Sequence, residues 1–261
     1  MNNELMYDQF STDYDRFVNW EGRLLVELPF LTAELGQTGV PDKNPVCVLD
    51  AACGTGQHVI ALTHQGFDCS GADLSKKMIQ IAQSNAKAEN LVINFKQAGF
   101  GQLSSAFRYQ KFDNLLCLGN SLPHVLDQAS MLDTLADFKD VLKTGGKIII
   151  QNRNFDNVIK AFNRWMEPET YRDGQNTWVF VRFYDFQPEG MLTFNILILS
   201  SQNGGKFQQQ VISTRLWPFA HDQLVGWLEK TGFKKIQLYG DLQGSPFTID
   251  TSPNLVIIAE A

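Results

Sequence analysis

The sequence predicts an α/β protein built on a largely parallel sheet. Three observations carry this. Apolar strands alternate with helices of about ten residues from Val46 onward, a glycine-bearing turn follows the first strand, and Gly-punctuated strands of alternating polarity interrupt the pattern late in the chain. In order, RLLVELPFLTAEL repeats its apolar residues at helical spacing, which predicts a helix over 23–35. GQTGVPDKNP (36–45) breaks it with Gly and Pro. VCVLDA (46–51) is the first strand and QHVIALTHQG (57–66) a helix ending at Gly66. CSGADL (69–74) is the second strand, and SKKMIQIAQSNAKA (75–88) a helix opened by Ser75 as cap. VINFKQA (92–98) and FDNLLCLG (112–119) are the third and fourth strands. SMLDTLADFKDVLK (130–143) is helical, and TGGKIIIQN (144–152) turns into the fifth strand.

From there the pattern changes. TWVFVRFYDF (177–186), GMLTFNILILSS (190–201) and KFQQQVISTRLW (206–217) alternate or run apolar, joined by QPEG and QNGG. Such runs between tight glycine turns predict an antiparallel meander. HDQLVGWLEKTG is then a helix, and FKKIQLYG and NLVIIAEA close the chain as strands.

Composition bounds the function. The 261 residues carry a net charge of −6 with no run of Lys or Arg, which argues against a nucleic-acid or anionic-membrane partner. No apolar run approaches the ~20 residues of a membrane span. The polar, acidic MNNELMYDQFSTDYDRF lacks the regions of a signal peptide, so a cytoplasmic location is expected. The four cysteines (47, 53, 69, 117) make no CxxC pair and read as reduced thiols, and the four histidines show no zinc spacing, so no metal is expected.

The turn in VLDAACGTG, Val48 to Gly56, presents backbone N–H groups at a helix start. Dinucleotide folds need G-x-G-x-x-G there, and Gly54 and Gly56 give G-x-G with Val59 at the third position, which disfavours an NAD-dependent dehydrogenase. The other ligand that uses such a turn is S-adenosylmethionine (SAM), which has no phosphate and needs room for its amino-acid portion. Asp50 supplies an acid near the ligand's ammonium end, and Asp73, closing the second strand, a carboxylate that both ligand classes use for two ribose hydroxyls.

This ordered set resembles the class I SAM-dependent methyltransferases from about residue 46 to 261. The resemblance implies a Rossmann-like, seven-stranded, mostly parallel sheet whose last strand is antiparallel, with helices on both faces. It also implies an inserted antiparallel meander and an N-terminal helical lid. The expected division is 1–45 lid, 46–153 SAM-binding core, 154–218 meander and substrate cap, and 219–261 completion of the core sheet. Ala52 in DAACGTG, CLGNSLPHV after strand four, QNRNFDNVI after strand five and GDL at 240–242 are similar to the glycine/sarcosine N-methyltransferase group.

By that resemblance Arg153 holds a substrate carboxylate, Asn120 contacts the substrate, and His124 lies near the donor methionine. Arg23 grips the SAM carboxylate and Tyr14 belongs to the lid. Ala52, Gly54, Gly56 and Leu118 accompany Asp50 and Asp73 in binding the donor. Leu74 and Met78 suit the adenine or the core equally, since apolar residues at helical spacing usually pack. Gly99 stands where an acid often reads the adenine amino group, so recognition by Gly99 and Phe100 rests on backbone groups near Phe100 or on stacking. RLWPFAH offers Trp217 and Phe219 where the glycine enzymes carry tyrosines, which predicts a more apolar site and puts glycine in question.

The expected reaction is transfer of a methyl group from SAM, leaving S-adenosylhomocysteine (SAH), to the amine of a small amino-acid-like molecule. Methylation of a carboxylate, hydroxyl or thiol and a non-catalytic SAM- or SAH-binding module are the alternatives. An open cavity between Asn120, Arg153 and the sulfonium separates catalysis from sensing. A homo-oligomer is among the expected states.

Overall fold

The structure, a computed structural model, describes residues 3–36 and 45–261. Most of the breaker expected over 36–45, and with it part of the expected lid segment, lies outside the described residues. Helices α1 (Asn3–Phe17) and α2 (Trp20–Gly36) precede a core that runs β1 (Cys47–Asp50), α3 (Gln57–His64), β2 (Asp68–Asp73), α4 (Lys76–Ala88), β3 (Asn94–Gln97), α5 (Leu103–Ala106), β4 (Phe112–Cys117), α6 (Gln128–Val141) and β5 (Leu142–Arg153). After α7 (Phe155–Lys160) come β6 (Glu169–Asp173), β7 (Asn176–Phe186), β8 (Leu192–Ser201) and β9 (Gln208–Leu216). Helix α8 (His221–Lys230) leads into β10 (Lys234–Tyr239) and β11 (Asn254–Glu260).

Seven strands form one sheet in the order β10-β11-β5-β4-β1-β2-β3, in which β11 runs antiparallel to both of its neighbours. The central strands are buried on both faces, as apolar runs such as Ile148–Ile150 require. Leu31, Leu35, Val59, Leu62, Ile79 and Ala82 from α2, α3 and α4 cover one face. On the other, α5, α6 and α8 bury Leu103, Leu135, Phe138, Leu224, Trp227 and Leu228. The Ser75 hydroxyl caps α4 by accepting from the Met78 N–H at 3.1 Å.

The expected meander is a four-stranded antiparallel sheet, β6-β7-β8-β9. The even-numbered residues of β7 and β8 face inward. Phe180, Ile196 and Ile198 bury Met6 and Phe10 of α1, while Tyr184 and Leu192 pack on Phe155. The first strand, β6, goes unseen in the sequence because every residue of ETYRD is exposed, which leaves no polarity alternation to read.

Trp217 and Phe219 correct an expectation. They do not face a ligand cavity. They pack with Trp227 in the core beneath α8, ring centroids 5.0–6.1 Å apart. Phe219→Ala should therefore cost about 3–5 kcal/mol of stability while leaving SAH affinity of the folded protein unchanged. Chemical denaturation paired with calorimetry checks both, and weakened donor binding at unchanged stability would return Phe219 to the site.

Candidate active site

The C-terminal ends of the parallel strands open into a cleft of about 900 Å³ between the core sheet, α1 and the inner face of the second sheet. Open α/β sheets bind ligands at this edge, because loops leave the strand ends here and helix N-termini point at it. Of the residues expected at the site, Tyr14, Arg23, Ala52, Gly54, Asp73, Leu74, Met78, Gly99, Phe100, Asn120, His124 and Arg153 line the cleft.

Asp50, Gly56 and Leu118 are not among the residues that line it. Asp50 is buried behind the turn, where its Oδ1 accepts from the Ala52 N–H at 3.1 Å. Gly56 sits at φ 82°, and a Cβ there would meet Ala82 and Phe95 at 3.0 Å, so it serves helix-to-strand packing. Leu118 is buried in the core. Asp50 and Gly56 shape the turn from behind, a role that the same spacing of residues signals equally well.

Asp73 holds the donor side together. Its Oδ2 accepts from the Gly54 N–H and its Oδ1 from the Ser75 N–H, each at 2.9 Å. The carboxylate thus ties the glycine turn to the start of α4, and each oxygen keeps lone pairs for a further donor. Burial pushes Asp73 up to about 6, against the pull of those two N–H groups. Burial likewise pushes Asp50 up to about 7, opposed by the Ala52 N–H and reinforced by Asp73.

Arg23 lies over the Trp20 ring, 5.2 Å from its centroid, and donates from Nε to Glu27 Oε1 at 3.0 Å. Glu27 Oε2 meets His58 Nε2 at 2.7 Å. Burial works to raise the Glu27 carboxyl, but the bonds from His58 and Arg23 outweigh it and hold it low. Arg23 is thereby fixed at the wall of the cleft.

Helix α1 is fastened over the donor side at two points. Asp8 Oδ1 accepts from the Ser75 hydroxyl at 2.5 Å, and Asp15 Oδ1 accepts from the Thr55 hydroxyl at 2.6 Å and from Trp20 Nε1 at 2.9 Å. Between them Tyr7, Phe10, Tyr14 and Phe17 give the cleft an aromatic wall. A Cβ on Gly54 would lie 3.5 Å from the Tyr14 ring. The Tyr7 hydroxyl lies 2.7 Å from His124 Nε2. Burial pushes His124 down to about 4, so it is neutral at pH 7. Tyr7 escapes the sequence reading, since one tyrosine in a polar N-terminal stretch carries no spacing signal.

At the other end of the cleft, β4 and β5 are stitched together where they end. The Gly119 N–H donates to Gln151 Oε1 at 2.8 Å, the Asn120 N–H to the Gln151 carbonyl at 3.1 Å, and the Arg153 N–H to Asn120 Oδ1 at 2.9 Å. Asn120 sits at φ 63°, a left-handed conformation that asparagine tolerates. Its oxygen is engaged by Arg153, which leaves its NH2 group to donate into the cleft. The Arg153 Nε is buried with no partner among the described residues. Arg182 and Tyr184 of β7, with Phe194 and Ile196 of β8, face them from the second sheet. Sequence reading missed Arg182; its signal is an arginine in the inward register between Phe180 and Tyr184.

The residues present fit SAM. A carboxylate with spare lone pairs stands at the end of β2, Leu74, Met78 and Phe100 give an apolar adenine wall, and Arg23 offers a cation for the donor carboxylate. A sulfonium ligand favours ionised neighbours, and Asp73 and Asp50 are ionised only above about pH 6 and 7. Protons lost on binding mean that affinity rises with pH. SAM should bind about tenfold more tightly at pH 8 than at pH 5.5, as read by calorimetry in buffers of differing ionisation enthalpy. A flat profile would show that neither carboxylate changes charge on binding.

Comparison with known proteins agrees with this geometry. Residues 48–146 match the family described as a methyltransferase domain. A SAM-dependent methyltransferase from Clostridium acetobutylicum superposes with a TM-score of 0.75 at 15% identity, covering 97% of this chain and 98% of that one. The CcbJ methyltransferase from Streptomyces caelestis gives 0.77 at 20% identity, covering 100% and 99%. This chain is a methyltransferase with the fold of the class I SAM-dependent enzymes. Within that class it is similar to the glycine/sarcosine N-methyltransferase of Aphanothece halophytica, 29% identical over 235 residues that cover 90% of this chain and 82% of the relative. Among the described residues no helix is long and apolar enough to cross a membrane, and no group of His, Cys, Asp and Glu is placed to hold a metal ion.

Proposed function

We propose that this enzyme methylates the amine of a small, amino-acid-like molecule whose carboxylate is held by Arg153. The observation that carries the reading is the unpartnered Arg153 Nε at the wall of an open cleft that also contains Asn120. A sensing module would have filled that space with side chains. The resemblance to glycine/sarcosine N-methyltransferases supports an amine as nucleophile. Trp217 and Phe219, packed in the core, do not weigh against glycine.

In this reading SAM supplies a methyl group already activated by its positive sulfur. The chain orients the partners and keeps water out, and alignment of this kind is worth up to ~7–11 kcal/mol of barrier. Asp73, Arg23 and the glycine turn fix the donor. The Asn120 NH2 and the Arg153 guanidinium fix the acceptor's acid end, and α1 dries the reacting centre with its aromatic wall. An amine that binds neutral needs no strong base, and His124, neutral and bonded to Tyr7, is positioned as a wall group. We read 1–45 as the lid, 46–153 as the donor core, 154–218 as the acceptor cap and 219–261 as completion of the sheet. We further propose that the enzyme works in the cytoplasm on free metabolites rather than nucleic acid, with a homo-oligomer among its states.

The test is SAH formation over a panel of amino acids, their amides, simple amines, carboxylic acids and thiols. Methylation of amino acids, with the amides and simple amines poor, is the expected result. Turnover confined to thiols, hydroxyls or carboxylates would overturn the reading, as would tight SAM binding with no turnover of any member.

A further inference from the structure

The acceptor side of the cleft contains two guanidinium groups, and each has an unspent N–H. Arg153 ends β5 on the core sheet, and Arg182 lies on the inner face of β7 in the opposing sheet. Both Nε atoms are buried and lack a hydrogen-bond partner among the described residues. Arg182 uses its Nη2 edge, which donates to the Glu167 carbonyl at 3.2 Å and reaches Glu169 Oε1 at 3.5 Å. Its guanidinium plane rests on the Phe17 ring, 4.8 Å from the centroid. The Nε side of the fork is thus held in place and left without an acceptor.

An unsatisfied N–H on a buried cation costs more than one on a neutral group, and two cations facing one cavity repel each other. Burial lowers the pKa of Arg182, Glu169 opposes this, Arg153 lowers it further, and the charges of both arginines are felt by the Tyr184 hydroxyl. The Glu169 carboxylate, half-exposed and 3.5 Å from Nη2, counters this by more than Arg153 adds to it, but it lies on the Nη2 edge and leaves the Nε side without an acceptor. An acid group placed between the forks removes both costs. A carboxylate has about four lone-pair sites and accepts from two guanidiniums at once.

We propose that Arg182 is a second acid-binding residue, so that the acceptor's carboxylate bridges Arg153 and Arg182 across the gap between the two sheets. This rests on the reading of a carboxylate-bearing acceptor. It goes further in making the second sheet a determinant of acceptor specificity. Tyr184, Phe194 and Ile196 flank Arg182 and face the rest of the acceptor. Because Ile196 is directly paired with Arg182 across β7 and β8, the acceptor's acid end and its apolar wall are set by one pair of strands.

The experiment titrates SAH-loaded protein with acetate, following binding by saturation-transfer NMR. It compares wild type with Arg153→Met, Arg182→Met and Arg182→Lys, and uses SAH affinity to verify that each variant is folded. Acetate binding should weaken at least tenfold in both methionine variants and recover only in part in Arg182→Lys, which restores charge without the fork. In parallel, Arg182→Met should raise KM tenfold or more for an amino-acid acceptor, with kcat changed less than threefold and KM for SAM unchanged. Acetate binding that depends on Arg153 but not on Arg182 would overturn this inference and leave the proposed function standing. Acetate binding to none of the proteins, with methylation of amines that lack a carboxylate, would overturn both. A fall in kcat alone in Arg182→Met would assign Arg182 to supporting the fold of the cap and also overturn the inference.

Discussion

Arg153→Lys is expected to lower kcat/KM for the methyl acceptor by about 2–4 kcal/mol while leaving donor affinity within twofold of wild type. The lysine keeps the positive charge and loses the planar fork, so the loss isolates bidentate geometry from charge. The backbone at this position is independently fixed, because the Arg153 N–H donates to Asn120 Oδ1 and the strand pairs with Asn254 of β11. A change confined to the side chain therefore leaves the strand ends in place. Steady-state kinetics on the acceptor returned by the substrate panel, with calorimetric SAH binding alongside, checks both halves. Full turnover in the lysine variant would remove Arg153 from the acceptor site, and a collapse of SAH affinity would move it to the donor side.

The second large effect is expected at Asp73. Asp73→Ala removes the acceptor for the Gly54 and Ser75 N–H groups together with the carboxylate expected to take the ribose hydroxyls. Each charge-assisted hydrogen bond contributes about 1.5–3 kcal/mol, so SAH affinity should fall by a factor of more than about 100. Asp73→Asn keeps one carbonyl oxygen and should lie between the two. A folded alanine variant with wild-type SAH affinity would place the ribose elsewhere in the cleft.

The fold was legible because its signals are local. Buried strands such as KIIIQN are apolar on both faces, and glycine turns and a Ser75 cap mark where they end. Elements without such signals were not legible. All five β6 residues are exposed, and α7 and α5 span six and four residues, less than two turns of helical period. The donor side was read through its turn, but spacing alone does not tell a residue that touches a ligand from one that props the turn. Asp50 and Gly56, which are not among the lining residues, support the turn through the Ala52 N–H and through packing on Ala82 and Phe95. The acceptor side was legible only on the core sheet. Arg182 and Tyr184 belong to a strand that pairs with no strand of the core, so no motif links them to Asn120 and Arg153. Their place across the cleft comes from docking of the two sheets, which is a long-range property.

Helix α1 touches both halves of the cleft at once. Its acids bond Ser75 and Thr55 beside the donor turn, and its Met6 and Phe10 are buried against Phe180 and Ile196 of the cap. The donor turn and the cap are therefore gauged by one ruler. A shift of this helix by a fraction of a turn retunes the donor compartment and the acceptor compartment together. Under the proposed assignment, substitutions along α1 are felt by donor and acceptor alike, and acceptor preference drifts independently only through β7, β8 and the ends of β4 and β5.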